Sequence, residues 1–132
     1  MPQKTGLNPA QFGLFATPLE SLIEPDSEVR VIAAFVDQLD LPELGFRPIH
    51  AMGASAYGSE VLLKIYLYGY LNGVRSSRRL ARECRLNVEM MWLTGNLQPQ
   101  HKTIAEFRRV HPEQLKKVFR EYVLLLKEWN LI

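Results

Sequence analysis

The chain has 132 residues, 47% of them hydrophobic, with 16 basic and 14 acidic side chains and one cysteine. That length supports one domain with a core large enough to need no staples, and a lone cysteine excludes an internal disulfide and fits a reducing compartment. The net charge of +2 hides a division, since residues 1–63 carry −5, residues 64–109 carry +6 and residues 110–132 carry +1; positive charge gathered in one stretch is the footprint of an anionic partner.

Residues 1–25 scatter Gly6, Pro9, Gly13, Pro18 and Pro25 through mixed side chains. They are expected to form an extended lead-in, docked by patches such as Phe12, Leu14 and Phe15, to a helical domain over residues 26–132. The opening MPQKTGLNPAQFGLF lacks the sustained apolar core and small-residue cleavage pattern of a secretory signal. Asp26 or Ser27 is placed to cap a helix running to about Leu39, in which Ile32, Phe35, Val36 and Leu39 recur at helical spacing and Glu28 suits the positive first turn. Pro42 and Gly45 close it, and the small, turn-forming residues from Gly45 to Gly58 predict a loop.

Ser59 opens the next helix. Leu62, Leu63, Tyr66, Leu67, Tyr70 and Leu71 cover more than half its circumference, which marks it as the central buried helix. Gly69 inside it costs about 1 kcal/mol of helix propensity relative to Ala, so another helix is expected to cross closely there. The apolar run Val61–Val74 is too short to span a bilayer and carries Lys64, Asn72 and two glycines, so the chain is read as soluble and cytoplasmic, with no membrane partner.

After Asn72-Gly73, five arginines fall within eleven residues, Arg75, Arg78, Arg79, Arg82 and Arg85, beside a single acid, Glu83. At roughly 100° per residue they sweep one side of a helix whose other side carries Leu80, Ala81 and Cys84. Ser76 or Ser77 is a suitable N-cap, and a serine hydroxyl or free amide at a helix start is also a phosphate ligand. The stripe reads as a solvated charged face or as a phosphate-binding one. The use of arginine rather than lysine favours nucleic acid, because its planar fork matches phosphate oxygens and guanine edges. Cys84, on the apolar side, reads as a packing residue and not as a nucleophile.

Asn87 is placed to cap a short helix, Val88–Leu93, whose Met90, Met91, Trp92 and Leu93 read as core, with a base-stacking platform as the alternative. A turn around Pro99 leads into Thr103-Ile104-Ala105-Glu106, which has the spacing of a capping box and predicts a helix over Thr103–Val110. This helix buries Ile104 and Phe107 and shows Lys102, Glu106, Arg108 and Arg109, a set of donors beside an acid able to read cytosine. Pro112 fits the first turn of a final helix in which Leu115, Val118, Phe119, Tyr122, Leu125, Leu126 and Trp129 form a continuous stripe. Its last turn, with Trp129, Leu131 and Ile132, is open to a docking role. No strand pattern competes, so the fold class is all-α, a compact bundle of about six helices.

The three histidines, His50, His101 and His111, have no zinc-like spacing with Cys84. There is no glycine-rich phosphate loop and no Gly-x-Ser-x-Gly elbow. Asp26, Asp37, Asp40, Glu60, Glu83 and Glu106 are spread over capping and surface positions and form no two-metal carboxylate pattern. No catalysis and no cofactor is expected of this chain by itself.

LLKIYLYGYLNGVRSSRRLARECRLNVEMMWLTG followed by KTIAEFRR resembles the N-terminal (InsH-like) DNA-binding domain of DDE-type insertion-sequence transposases, over a stretch running from about Ser27 to the end. YLYGYLN, RSSRRL-x-x-E, N-V-E-x-x-W-L and KTIA-x-FR, in this order and spacing, carry the resemblance. It departs from many relatives at Met52-Gly53-Ala54-Ser55, where they have Gly-Arg-Pro, and at Val110-His111, where they have Asp-Asn. The resemblance implies a helical domain that recognises the element's terminal inverted repeats in double-stranded DNA, in a nucleoid-associated protein. It also implies that the three metal-binding acids, and with them Mg²⁺, belong to a ribonuclease-H-like domain beyond Ile132. Arg75, Ser76, Ser77, Arg78, Arg79, Lys102, Thr103, Arg108 and Arg109 are the contact positions it implies, and the charge pattern adds Arg82 and Arg85. In the expected helix-turn-helix-like arrangement the arginine helix grips phosphates and the Thr103–Val110 helix enters the major groove. Two other readings stay open: a protein-interaction or dimerisation module pairing with itself or with a full-length transposase, and the N-terminal piece of a larger metal-dependent enzyme.

Overall fold

The computed structural model describes residues 19–47 and 57–131. Most of the expected lead-in, residues 1–18, the part of the expected loop at residues 48–56 with His50 and Met52–Ser55, and Ile132 lie outside the described residues. Those described form α1 (Leu19–Leu22), α2 (Glu28–Asp37), α3 (Leu41–Leu44), α4 (Ser59–Asn72), α5 (Ser77–Leu86), α6 (Val88–Thr94), α7 (His101–Val110) and α8 (Pro112–Glu128), with no strand among them.

The all-α class holds, and the two helices beyond the expected six are single turns. In α3 the Asp40 side chain accepts the Glu43 amide, and Gly45 closes the turn at φ +95°. Pro42 therefore starts a helix rather than ending one, because a first-turn proline gives up an amide that has no partner in any case. In α1, which falls in a segment expected to be extended, Arg30 holds the turn from α2: its guanidinium donates to Glu20 Oε1 at 2.7 Å and to the Ile23 carbonyl at 2.9 Å. Glu20 Oε2 in turn accepts from Trp92 Nε1 at 2.6 Å, and the Arg30 guanidinium sits 5.2 Å from the Trp92 ring centroid. Trp92 is thus a partly buried anchor between α1, α2 and α6 rather than a free stacking platform.

Helix α4 is the axis of the fold. Leu62, Leu63, Ile65 and Leu67 are completely buried, and α2, α5 and α6 pack around it. Lys64 adds a 3.0 Å ion pair to Asp37 of α2. Tyr70 departs from its expected burial: at the last turn of α4 it is 52% exposed and stacks on Phe119 of α8, ring centroids 5.0 Å apart. On α8, Leu115, Val118, Tyr122 and Leu126 face the core, with Tyr122 4.9 Å from the Phe35 ring of α2, while Trp129 is 56% exposed.

The close approach expected at Gly69 is made by the Val74 carbonyl of the link that follows α4 and by Leu80 of α5. A Cβ built on Gly69 would lie 2.5 Å from the Val74 carbonyl oxygen and 2.8 Å from Leu80 Cδ2. Gly69→Ala therefore pits a propensity gain of about 1 kcal/mol against overpacking of about 1–3 kcal/mol in which backbone has to move. The expected outcome is a lower urea midpoint at unchanged slope; an unchanged or raised midpoint contradicts the close packing of α5 on α4.

Candidate nucleic-acid interface

Helix α5 is built against its own local preferences. Ser76 caps it, its side chain accepting the Arg79 amide at 3.3 Å, and Leu80, Ala81 and Cys84 are buried. Yet its first turn holds Arg78 and Arg79 and no acid, so two cations sit at the positive end of the helix dipole, where each costs about 0.3–1 kcal/mol. Arg82 follows Arg78 at i,i+4 and adds like-charge repulsion of about 0.2–0.5 kcal/mol. Arg75, Arg78, Arg79, Arg82 and Arg85 are all exposed, and none has a carboxylate within ion-pairing distance among the described residues. Arg75 stands before the cap, on the link from α4, and so is not part of the helical stripe to which periodicity assigned it. Ser76 spends its hydroxyl oxygen on the cap, and Ser77 is half-buried. Burial pushes the Cys84 thiol up to about 12, in keeping with a packing role.

Helix α7 starts at His101, two residues before the expected cap. Gln100 precedes it without a side-chain cap bond, and the predicted capping box does not form. Thr103 is buried beside Ile104 and Phe107 on the core face, which removes it from the surface open to a partner. Glu106, instead of reaching back to Thr103, accepts from Arg109 Nε at 2.9 Å. The Arg109 guanidinium holds the Glu106 carboxyl below the ordinary carboxylate range. Arg108 and Lys102 remain exposed with no ion pair among the described residues.

Aromatic packing seats α7. Phe107 stacks on Phe46 at 5.5 Å and lies 6.1 Å from the ring of Tyr66, whose hydroxyl donates to the Ile104 carbonyl. His111, fully buried at the joint between α7 and α8, accepts the Arg47 amide at Nε2, 3.0 Å away, and its Nδ1 donates to the Phe107 carbonyl at 3.1 Å. One nitrogen accepting and the other donating is the neutral imidazole. No spacing in the sequence marks His111 for this role.

Helices α5 and α7 pack directly against each other, so the two basic clusters become neighbours. Arg75 and Arg108 line one groove of about 450 Å³, joined there by Lys116 of α8, which the charge pattern had not singled out. Residues 17–110 match the family described as Transposase domain (DUF772). The chain belongs to this transposase-domain family. The match covers α1–α7, beginning about ten residues before the stretch first seen as similar and leaving α8 outside it. No curated protein and no solved structure matches the chain.

Membership gives the transposase domain a transposase-related role. Among the described residues no group of three or more His, Cys, Asp or Glu could hold a metal ion. No described helix is long and apolar enough to cross a membrane.

His111 makes the seat of α7 sensitive to pH. Burial, reinforced by the charge of Arg47, lowers its pKa from 6.5 despite the bond to Phe107. A depressed histidine pKa means that the unfolded chain takes up the proton first, so stability is full above about pH 6.5 and declines as pH falls towards the folded value. Urea midpoints are expected to drop between about pH 7 and pH 5, above the range where carboxylates titrate. His111→Gln should be less stable at neutral pH and flatter across that window; an equally steep profile in the variant assigns the effect to another group.

Proposed function

We propose that this transposase domain binds double-stranded DNA, with the terminal inverted repeats of its element as the specific target, as a cytoplasmic, nucleoid-associated protein. The observation that carries the reading is the arginine helix: exposed arginines without carboxylate partners, two of them set against the helix dipole, in a domain whose remaining surface could have supplied acids. Such a surface is electrostatically unfavourable in isolation and is relieved by a polyanion. Backbone phosphates look alike at every base pair and suit the nearly uniform stripe of Arg78, Arg79, Arg82 and Arg85. Helix α7, with Lys102, Arg108 and the Glu106–Arg109 pair, has the mixed donors and acceptors that base edges require, and its packing on α5 supports a helix-turn-helix-like division of labour.

Affinity for duplex DNA should then fall with salt with a log–log slope of about −4 to −6, for roughly five or six phosphates, without strand cleavage in Mg²⁺. Arg78→Ala with Arg82→Ala should flatten the slope by about one to two units. The second reading, a protein-interaction module, is favoured by the exposed Leu124, Trp129 and Leu131 on and just after α8, outside the family match. Salt-independent binding, or no binding to any duplex together with concentration-dependent self-association, would select it.

Gripping and reading separate by mutation. Arg108→Ala is expected to cost about 1–3 kcal/mol on the preferred sequence and little on random DNA. Arg109→Ala follows it to the extent that Glu106 presents Arg109 rather than neutralising it. Arg79→Ala should weaken both DNAs nearly equally. If Arg79→Ala relaxes sequence preference while both late variants leave it intact, the roles of α5 and α7 are reversed.

A further inference from the structure

The groove of about 450 Å³ between the end of α4, the Val74–Arg75 link, the end of α7 and the start of α8 has two kinds of wall. One is apolar and aromatic: Val74, Leu115 and the stacked pair of Tyr70 and Phe119, whose rings lie 5.0 Å apart at an interplanar angle of 22°. The other is cationic, formed by Arg75, Arg108 and Lys116 from three different segments. Among the described residues only Lys116 of these cations has a carboxylate near it, Glu113 at 3.8 Å on the solvent-exposed start of α8. Tyr70 is half exposed, an unusual position for a large aromatic on the central helix, and its ring stacks on that of Phe119.

A flat aromatic ring beside several cations matches a flat base joined to a phosphate, and the cavity volume is in the range that holds a ligand of nucleotide size. A base inside a duplex cannot use this wall, because both its faces are already stacked on neighbouring pairs and only its edges are open. An unpaired nucleotide can. Arg75 stands one residue from the cap of α5, so the groove adjoins the arginine helix and a strand gripped there has a short path into it.

We propose that this groove holds an unpaired nucleotide of a DNA strand, its base stacked on Tyr70 and its phosphate among Arg75, Arg108 and Lys116. The proposal rests on the DNA-binding reading and adds to it a single-stranded subsite next to the duplex-binding surface.

The test compares fluorescein-labelled oligothymidylate of about ten nucleotides with a hairpin duplex closed by a non-nucleotide ethylene-glycol loop, so that it holds no unpaired base, by anisotropy at one salt concentration, for the wild-type chain, Tyr70→Phe and Tyr70→Leu. Leucine keeps an apolar contact to Phe119 but removes the ring, whereas phenylalanine keeps the ring, so a merely structural Tyr70 would not separate them on one DNA alone. Expected are wild-type binding of both DNAs, oligothymidylate binding within about twofold for Tyr70→Phe and about 5- to 100-fold weaker for Tyr70→Leu, and hairpin binding unchanged in both variants. Three results overturn the proposal: Tyr70→Leu binding oligothymidylate like wild type, equal loss on both DNAs, or hairpin binding without oligothymidylate binding. Thymidine monophosphate competing as strongly as the oligomer would also overturn it, assigning the groove to a free nucleotide. If neither DNA binds, the duplex reading fails first and takes the subsite with it, an outcome distinct from hairpin binding alone.

Discussion

The burial of α4 on almost every side is the constraint from which the rest follows. A helix that places Leu62, Leu63, Ile65, Tyr66 and Leu67 out of water around most of its circumference cannot rest on one neighbour; it has to be wrapped. Helices α2 and α6 enclose one part, the Val74 carbonyl of the link and Leu80 of α5 leave no room for a side chain at position 69, and α7 is tied on through Tyr66 and Phe107. The basic segments are therefore wrappers. Each gives its apolar face to α4 or its neighbours, and the arginines are what remains outside.

That division explains how a poorly self-stabilising helix persists. α5 has cations in its first turn and like charges one turn apart, small penalties that together approach the whole propensity of a ten-residue helix. Leu80 and Cys84, each almost completely buried, offset them, since burying one leucine-sized side chain is worth about 1.5–3 kcal/mol. Stability here comes from tertiary packing, and the surface charge contributes nothing to holding the helix in place. The same logic applies to α7, whose two fully buried side chains, Ile104 and Phe107, fix its rotation and so decide that Thr103 faces inward while Arg108 faces out.

Two polar devices complete the frame. Asn87 serves α5 and α6 at once: its Oδ1 accepts the Met90 amide at 3.1 Å, and its Nδ2 donates to Glu83 at 2.9 Å and to the Tyr68 hydroxyl of α4 at 2.7 Å. His111 does the equivalent for α7 and α8, tying their joint to the backbone at Arg47. Both are single side chains that satisfy several backbone or side-chain groups at helix ends, where the chain leaves donors and acceptors without helical partners.

Sequence by itself determined the helical class, the central place of Ser59–Asn72, the Asn87 cap, the buried faces of α5 and α7 and the family, and narrowed two further caps to Asp26 or Ser27 and to Ser76 or Ser77, because each depends on periodicity, on capping chemistry within a few residues or on ordered motifs. It did not determine α1, a single turn whose ion pair comes from Arg30 ten residues away, nor α3, where the same proline serves equally as a stop or a start. It also misplaced the start of α7, since a Thr-x-x-Glu spacing is equally compatible with a buried threonine and an acid paired to Arg109. Only the tertiary structure decided that His111 is a buried neutral joint, that Tyr70 lies outside the core, and that Arg75, Arg108 and Lys116 share one groove. Those outcomes turn on contacts between residues tens of positions apart, and no local spacing encodes which helix a face will meet.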